Sequence, residues 1–96
     1  MIVHIVMFKF KDENREKNIK IVEQKLNDLV EKIDVLQSIE VGIDFNRGER
    51  AFDLSLYSTF ESKEELKSYA IHPEHLKVVS LIKEVTHESK VVDYIV

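Results

Sequence analysis

From Ile2 to Lys11 the chain is apolar at almost every position, IVHIVMFKFK. Read with a period of two, Val3, Ile5 and Met7 share one face, and His4, Val6, Phe8 and Phe10 share the other. A strand with no polar face to offer water belongs in the middle of a sheet that is covered on both sides. Every fold open to this chain has to supply two covers for this one segment. The segment is too short for a membrane span, which takes about 20 residues. It lacks the basic start of a signal peptide and runs into DENREK without a cleavage-like site. A buried strand and a cytoplasmic protein are therefore expected.

The periodicity then changes. In DENREKNIKIVEQKLNDLVEKID, Ile19, Val22, Leu26, Leu29, Val30 and Ile33 recur at spacings of three and four. They make the single apolar stripe of an amphipathic helix, with Asp12 or Asn14 as candidate N-caps. Glu16–Lys20 and Asp28–Lys32 are spaced for ion pairs on its wet side, each worth a few tenths of a kcal/mol. Next, SIEVGIDF alternates strictly, setting Ile39, Val41, Ile43 and Phe45 against Glu40, Gly42 and Asp44. It reads as a strand with one wet face, at a sheet edge. NRGER is a turn, with Gly48 free to take positive φ. AFDLSLYSTF is a second alternating strand, with Phe52, Leu54, Leu56 and Phe60 on one face. Ser62 and Glu65 have capping-box spacing and open a helix that turns Leu66, Tyr69 and Ala70 inward. Beyond Pro73 the helix resumes and buries Leu76, Val79 and Ile82. KVVDYIV closes the chain as a strand.

The order βαββαβ is the ferredoxin-like arrangement, an α+β fold with a four-stranded antiparallel sheet. Right-handed crossovers place both helices on one face of that sheet. The other face, expected to carry His4, Val6, Phe8, Leu54 and Leu56, then has no cover from its own chain. An apolar face of that size does not stay in water on a monomer. A second copy, sheet to sheet, supplies the missing cover. The chain is thus expected to be an obligate homodimer whose two sheets pack as a dimeric α/β barrel.

Ninety-six residues make one domain, 1–96. The 14 basic residues are interspersed among 18 acidic ones, for a formal charge of −4. No basic face is evident, which argues against nucleic acid as a partner, and no segment argues for a membrane. Having no cysteine excludes disulfides and thiolate metal sites and suits a reducing compartment.

Three segments resemble a known family: MIVHIVMFKFK at the start, STFESKEELKSYAIHPEH in the middle and VVDYIV at the end. They are similar to the stress-responsive dimeric α/β-barrel (Dabb) domains, and the match covers essentially the whole chain. The middle segment, F-x-S-x-E-x-L-x-x-Y-x-x-H-P-x-H, is the specific part. The resemblance implies a homodimeric barrel with a cavity between sheet and helices. Most members have no established activity; one, the plant olivetolic acid cyclase, closes a polyketide by aldol condensation in that cavity. Carried over by the resemblance, Tyr69 and His75 are the chemical residues, with His4 nearby and Asp93 on the final strand. The pocket aromatics of that cyclase's first helix have no counterpart, because residues 15 to 33 contain no aromatic.

The residues around HPEH admit several uses. Pro73 suits the first turn of a helix, and His72 before it suits extended backbone, so a helix joint explains the proline. It leaves the two histidines unexplained, since neither is a preferred cap or core residue. His72 and His75 could share a metal ion, with His4 or Asp93 as a third ligand. With no thiolate and no carboxylate cluster beside them, no metal and no cofactor are expected. Acid–base chemistry suits the set better. A neutral imidazole can take a proton from carbon next to a carbonyl, a tyrosine can donate to the enolate oxygen, and Asp93 can fix an imidazole tautomer. Against this, Tyr69 lies on a packed helix stripe, and His4 can be an interior hydrogen-bonded histidine. His87, in a polar stretch read as a loop, is assigned nothing.

Three readings stay open. The first is a homodimer binding a small apolar or aromatic ligand in a cavity walled by Val6, Phe8, Leu54 and Leu56. The second is a cyclase-like enzyme using His75 and Tyr69. The third is a structural stress protein whose stable assembly is its function.

Overall fold

A computed structural model describes all of residues 1–96. The elements are β1 (Ile2–Phe10), α1 (Arg15–Lys32), β2 (Ser38–Ile43), β3 (Leu54–Phe60), α2 (Lys63–Ile71), α3 (Pro73–Val85) and β4 (Thr86–Ile95). The four strands form one antiparallel sheet in the order β2-β3-β1-β4, with β1 hydrogen-bonded on both sides and β2 at an edge. This is the ferredoxin-like fold, with its second helix broken into α2 and α3 at His72 and Pro73. No helix is long and apolar enough to cross a membrane.

The helices cover the opposite face of the sheet from the one expected. Val6, Phe8 and Leu56 line a space beneath Val78 and Ile82 of α3, and Phe8, Leu54 and Leu56 belong to the helix-covered core. His4 packs against Tyr69 of α2. The other face carries Val3, Ile5 and Met7, opposite Thr59, Tyr57 and Ser55 on one side and Tyr94, Val92 and Lys90 on the other; it is bare around Met7, Tyr57, Val92 and Tyr94, while Val3 and Thr59 at its end are buried. The reason lies in the pairing of strands. Residues opposed across a ladder share a face, so β1 takes the face of its partners. β2 and β3 bring Val41 with Leu56 and Ile43 with Leu54, an aliphatic surface that suits helix packing. The same register leaves Ser55 and Tyr57 of β3 exposed on the other face.

The stripe on α1 is real for Ile19, Val22, Leu26 and Leu29, with Ile33 buried just past its end, whereas Val30 is exposed. On α3, Ile82 is buried as expected and Val79 is half-buried, but Val78 is buried in place of Leu76, which is 49% exposed. Ala70 also faces out. Phe45, read as inward, is 94% exposed because β2 ends at Ile43 and the alternation stops with it. β4 starts at Thr86, so His87 lies in a strand and not in a loop.

Several local contacts also differ from the spacing rules. Asn14 occupies the N-cap position of α1 at φ 54° and makes no side-chain cap, while Asp12 pairs with Arg15. Glu16 bonds Arg47 instead of Lys20, and Asp28 accepts from Gln24 instead of pairing with Lys32. Ser62 does cap α2, accepting from the backbone N–H of Glu65 at 3.2 Å. In the β2–β3 loop Arg47, not Gly48, takes the positive φ, at 55°. Its own N–H donates to the Asp44 carboxylate at 2.7 Å, a side-chain turn that holds this backbone.

The Arg47 guanidinium reaches Glu16 at 3.0 and 3.2 Å and the buried Asp53 at 3.3 Å. The other oxygen of Asp53 accepts the Phe10 backbone N–H at 2.7 Å. One buried carboxylate thus ties the end of β1 to the loop before β3. Asp53→Ala should cost about 1–3 kcal/mol, since it leaves a buried donor unpaired. Asp53→Asn, which keeps an acceptor oxygen, should cost less. Urea denaturation of the two variants checks the order.

Candidate functional site

The sheet places His4 and the helix break places His75. On β1, His4 stands opposite Asp93 on β4 and Ser58 on β3. The Ser58 hydroxyl donates to the His4 carbonyl at 3.1 Å, pinning the strand where the imidazole leaves it. The Asp93 carboxylate accepts a hydrogen bond from Nδ1 of His4. Since a carboxylate accepts, Nδ1 carries the proton and Nε2 is left open.

HPEH divides its two histidines between two jobs. His72 is the N-cap of α3, with Nδ1 accepting the backbone N–H of Glu74 at 3.1 Å, and Pro73 is the first helical residue. A side-chain nitrogen here does the work usually left to a serine or aspartate oxygen. This corrects the view that neither histidine is a cap. It also commits the Nδ1 of His72 to the backbone. His75, one turn on, donates Nδ1–H to the carbonyl oxygen of Ala70 at 3.0 Å. Its Nε2 makes no hydrogen bond within the chain. Partial burial is the main cause that lowers the His75 pKa below the usual 6.5; the Ala70 bond opposes this, and His4 and His72 add to it. The imidazole is accordingly neutral at physiological pH, with Nε2 able to accept a proton.

Tyr69 joins the two histidines. Its ring centroid lies 4.2 Å from that of His75, 4.9 Å from Phe60 and 6.3 Å from His4. The side chain is only 1% exposed, and its hydroxyl is buried with no hydrogen-bond partner. Burial pushes its pKa up to about 12, so it is a neutral phenol that can only donate or accept a hydrogen bond. A buried polar group without a partner is uncommon in a folded protein, and it asks for one.

Beside this cluster is a cavity of about 210 Å³ between the sheet and α3. His4 and His75 border it, with Val6, Phe8, Leu56 and Leu26 and the α3 side chains Val78, Val79, Ile82 and Lys83. Thr86 and Ser89 complete its wall. Of the aliphatic and aromatic residues expected there, Val6, Phe8 and Leu56 are present and Leu54 is not. Tyr69 backs onto His75 without bordering the cavity. Periodicity could have supplied Val78, which follows the helix stripe; Lys83, Thr86 and Ser89 carry no signal of their own. A wider depression of about 520 Å³ lies near Phe45 and Phe52, but it is open and neither His4 nor His75 lines it. No group of three or more His, Cys, Asp or Glu side chains is arranged to hold a metal ion.

A domain of this topology with an imidazole-bordered cavity under its second helical segment has close relatives. The chain belongs to the stress-responsive A/B barrel (Dabb) domain family, whose model matches residues 2–96. Over 79 residues it is 39% identical to a stress-response A/B barrel domain-containing protein of Arabidopsis thaliana, covering 82% of this chain and 30% of that protein. The chain spans less than half the length of the curated relatives it matches. Among solved structures it is similar to a dimeric, ferredoxin-like protein of unknown function from Bacteroides fragilis. The identity there is 34% and the TM-score 0.88, covering 97% of this chain and 93% of that one. A hydroxynitrile lyase from Passiflora edulis shares the fold at a TM-score of 0.87 and 21% identity, covering 99% and 92% of the two chains.

Two outcomes follow for the cluster. Tyr69→Phe removes an unpaired buried hydroxyl and keeps the ring, so stability should hold or rise by about 1 kcal/mol. A loss of stability in urea denaturation would mean the hydroxyl has a partner. His75 takes up its proton at a lower pH folded than unfolded, so below about 6.5 the unfolded chain binds more protons. Its contribution to stability is therefore full above that pH and lost as pH falls through the folded value. Melting temperature should drop on acidification across this range, and less steeply in His75→Gln.

Proposed function

We propose that this protein is a homodimer that binds a small apolar or aromatic molecule in the cavity between the sheet and α3, with His75 as proton acceptor. The observation that carries the reading is the paired state of the two imidazoles. Each has Nδ1 fixed by an oxygen acceptor, Asp93 for His4 and Ala70 for His75, and each keeps Nε2 open. Both border one largely apolar cavity. Its volume is below the roughly 300–1,000 Å³ of pockets for drug-sized ligands, so a single ring or a short chain fits best. The cysteine-free chain suits a reducing compartment, the cytoplasm.

The dimer rests on the bare sheet face and on the dimeric relative. Met7, Tyr57, Val92 and Tyr94, with the half-buried Ile5 among them, leave an exposed apolar and aromatic patch on that face. Wild type should sediment as a dimer in analytical ultracentrifugation. Tyr57→Asp, placing a charge in the dry contact, should give monomer or aggregate; a soluble, folded wild-type monomer would refute the dimer.

A second reading is favoured by the unpartnered Tyr69 hydroxyl beside His75: a cyclase-like enzyme that closes a chain by intramolecular aldol condensation. Nε2 of His75 would take a proton from carbon between two carbonyls. The carbanion would add to a third carbonyl carbon, and the resulting alkoxide would take the proton back from the His75 imidazolium, which restores the base. Tyr69 would donate to the enolate oxygen after a side-chain shift that opens its hydroxyl to the cavity. The hydroxynitrile lyase on this fold supports catalysis by analogy of fold alone.

Screening phenols and short β-diketones by thermal shift should find ligands that raise the melting temperature. His75→Ala should abolish the shift while the protein stays folded. If turnover is found, that substitution should lower it by roughly a hundredfold or more. Ligands that stabilise wild type and His75→Ala equally would remove His75 from the site, and no binding at all would favour a structural role.

A further inference from the structure

The far end of the cavity from the histidines has a different chemistry. Lys83, in the last turn of α3, borders it together with Ser89 of β4. Lys83 makes no ion pair, and Ser89 makes no side-chain hydrogen bond within the chain. Thr86, also at this end, is already used, since its hydroxyl donates to the Ile82 carbonyl at 2.7 Å. Lys83 and Ser89 are both exposed, so this end is the mouth. No carboxylate borders the cavity, although the chain has 18 acidic residues against 14 basic.

The two ends are held apart by two elements. His75 and Lys83 are eight residues apart on one helix, about 12 Å along its axis. On the sheet, Asp93 stands opposite His4 and Ser89 opposite Phe8, about 13 Å along β1. Between them the walls are aliphatic or aromatic. The inner end offers Nε2 of His4 and of His75, neither bonded within the chain, and that of the neutral His75 accepts a hydrogen bond. The mouth offers an ammonium and a free hydroxyl, both donors. A molecule that satisfies both ends is elongated, apolar in the middle, proton-donating at one tip and anionic at the other.

Building on the ligand-binding reading above, we infer that the cavity takes an elongated apolar carboxylate, with its acid group on Lys83 and Ser89 and a proton-donating tip toward His75. Lys83 sets the choice of charge, and the histidine end sets the polarity of the molecule in the slot.

The test uses 4-(4-hydroxyphenyl)butanoate and its neutral primary amide, titrated into the intact chain by calorimetry at low and high salt. The carboxylate should bind roughly 3- to 10-fold more tightly than the amide at low salt, the size of one partly exposed ion pair with a hydrogen bond. Salt should narrow that gap. In Lys83→Gln, a change at an exposed position, the gap should close through loss of carboxylate affinity while the amide binds as before. His75→Ala should weaken both probes. Equal binding of the two probes to wild type, or a gap unchanged in Lys83→Gln, overturns the carboxylate assignment and leaves the cavity reading standing. If neither probe binds wild type, both fall together.

Discussion

Everything in this fold is referred to one strand. β1 is hydrogen-bonded to β3 on one side and β4 on the other, and its side chains are apolar in both directions. One face is satisfied by the helices, which close over Phe8 and Phe10. The other is left to whatever lies outside the chain. The same double demand makes the fold stable under the helices and incomplete on the opposite side. Because the backbone of β1 is held by two neighbours and by the Ser58 hydroxyl at His4, a polar side chain on it can be aimed accurately. His4 uses that rigidity, and Asp93 on the next strand fixes its tautomer. Sites carried on strands and helices hold their geometry better than sites on loops.

The break at His72 and Pro73 serves the site in a second way. An uninterrupted helix would use the Ala70 carbonyl for the backbone. The break frees that carbonyl, and His75 takes it. His72 then supplies the cap that the restarted helix needs. One short motif therefore makes the interruption, repairs its cost in hydrogen bonds, and orients an imidazole toward the cavity. Tyr69, last in the stack between Phe60 and His75, packs the joint from behind. Its unpaired hydroxyl is a local cost that packing of the ring has to outweigh, and such costs tend to gather at functional sites.

The electrostatics of the cavity follow from the same skeleton. Partial burial keeps His75 neutral, and with no carboxylate in the wall Lys83 is its one lysine or arginine. A slot with the neutral His75 at one end and a lysine at the other is polar along its length.

The sequence by itself determined the element order, the central place of β1, the edge position of β2 and the joint at Pro73. These follow from local periodicity and from residues such as proline with one strong backbone preference. The triplet of His4, Tyr69 and His75 came from likeness to a family motif, and their distances were not legible. Only the tertiary structure decided which face of β1 meets the helices, because both faces are apolar and the choice is made by cross-strand partners far away in the chain. It also decided that Leu76 and Phe45 point outward, since helix phase and strand length depend on what they pack against. The cap role of His72, the open Nε2 of His75 and the lysine at the cavity mouth were likewise set there. Each depends on where a hydrogen-bond partner or a wall stands in space, and spacing along the chain does not record that.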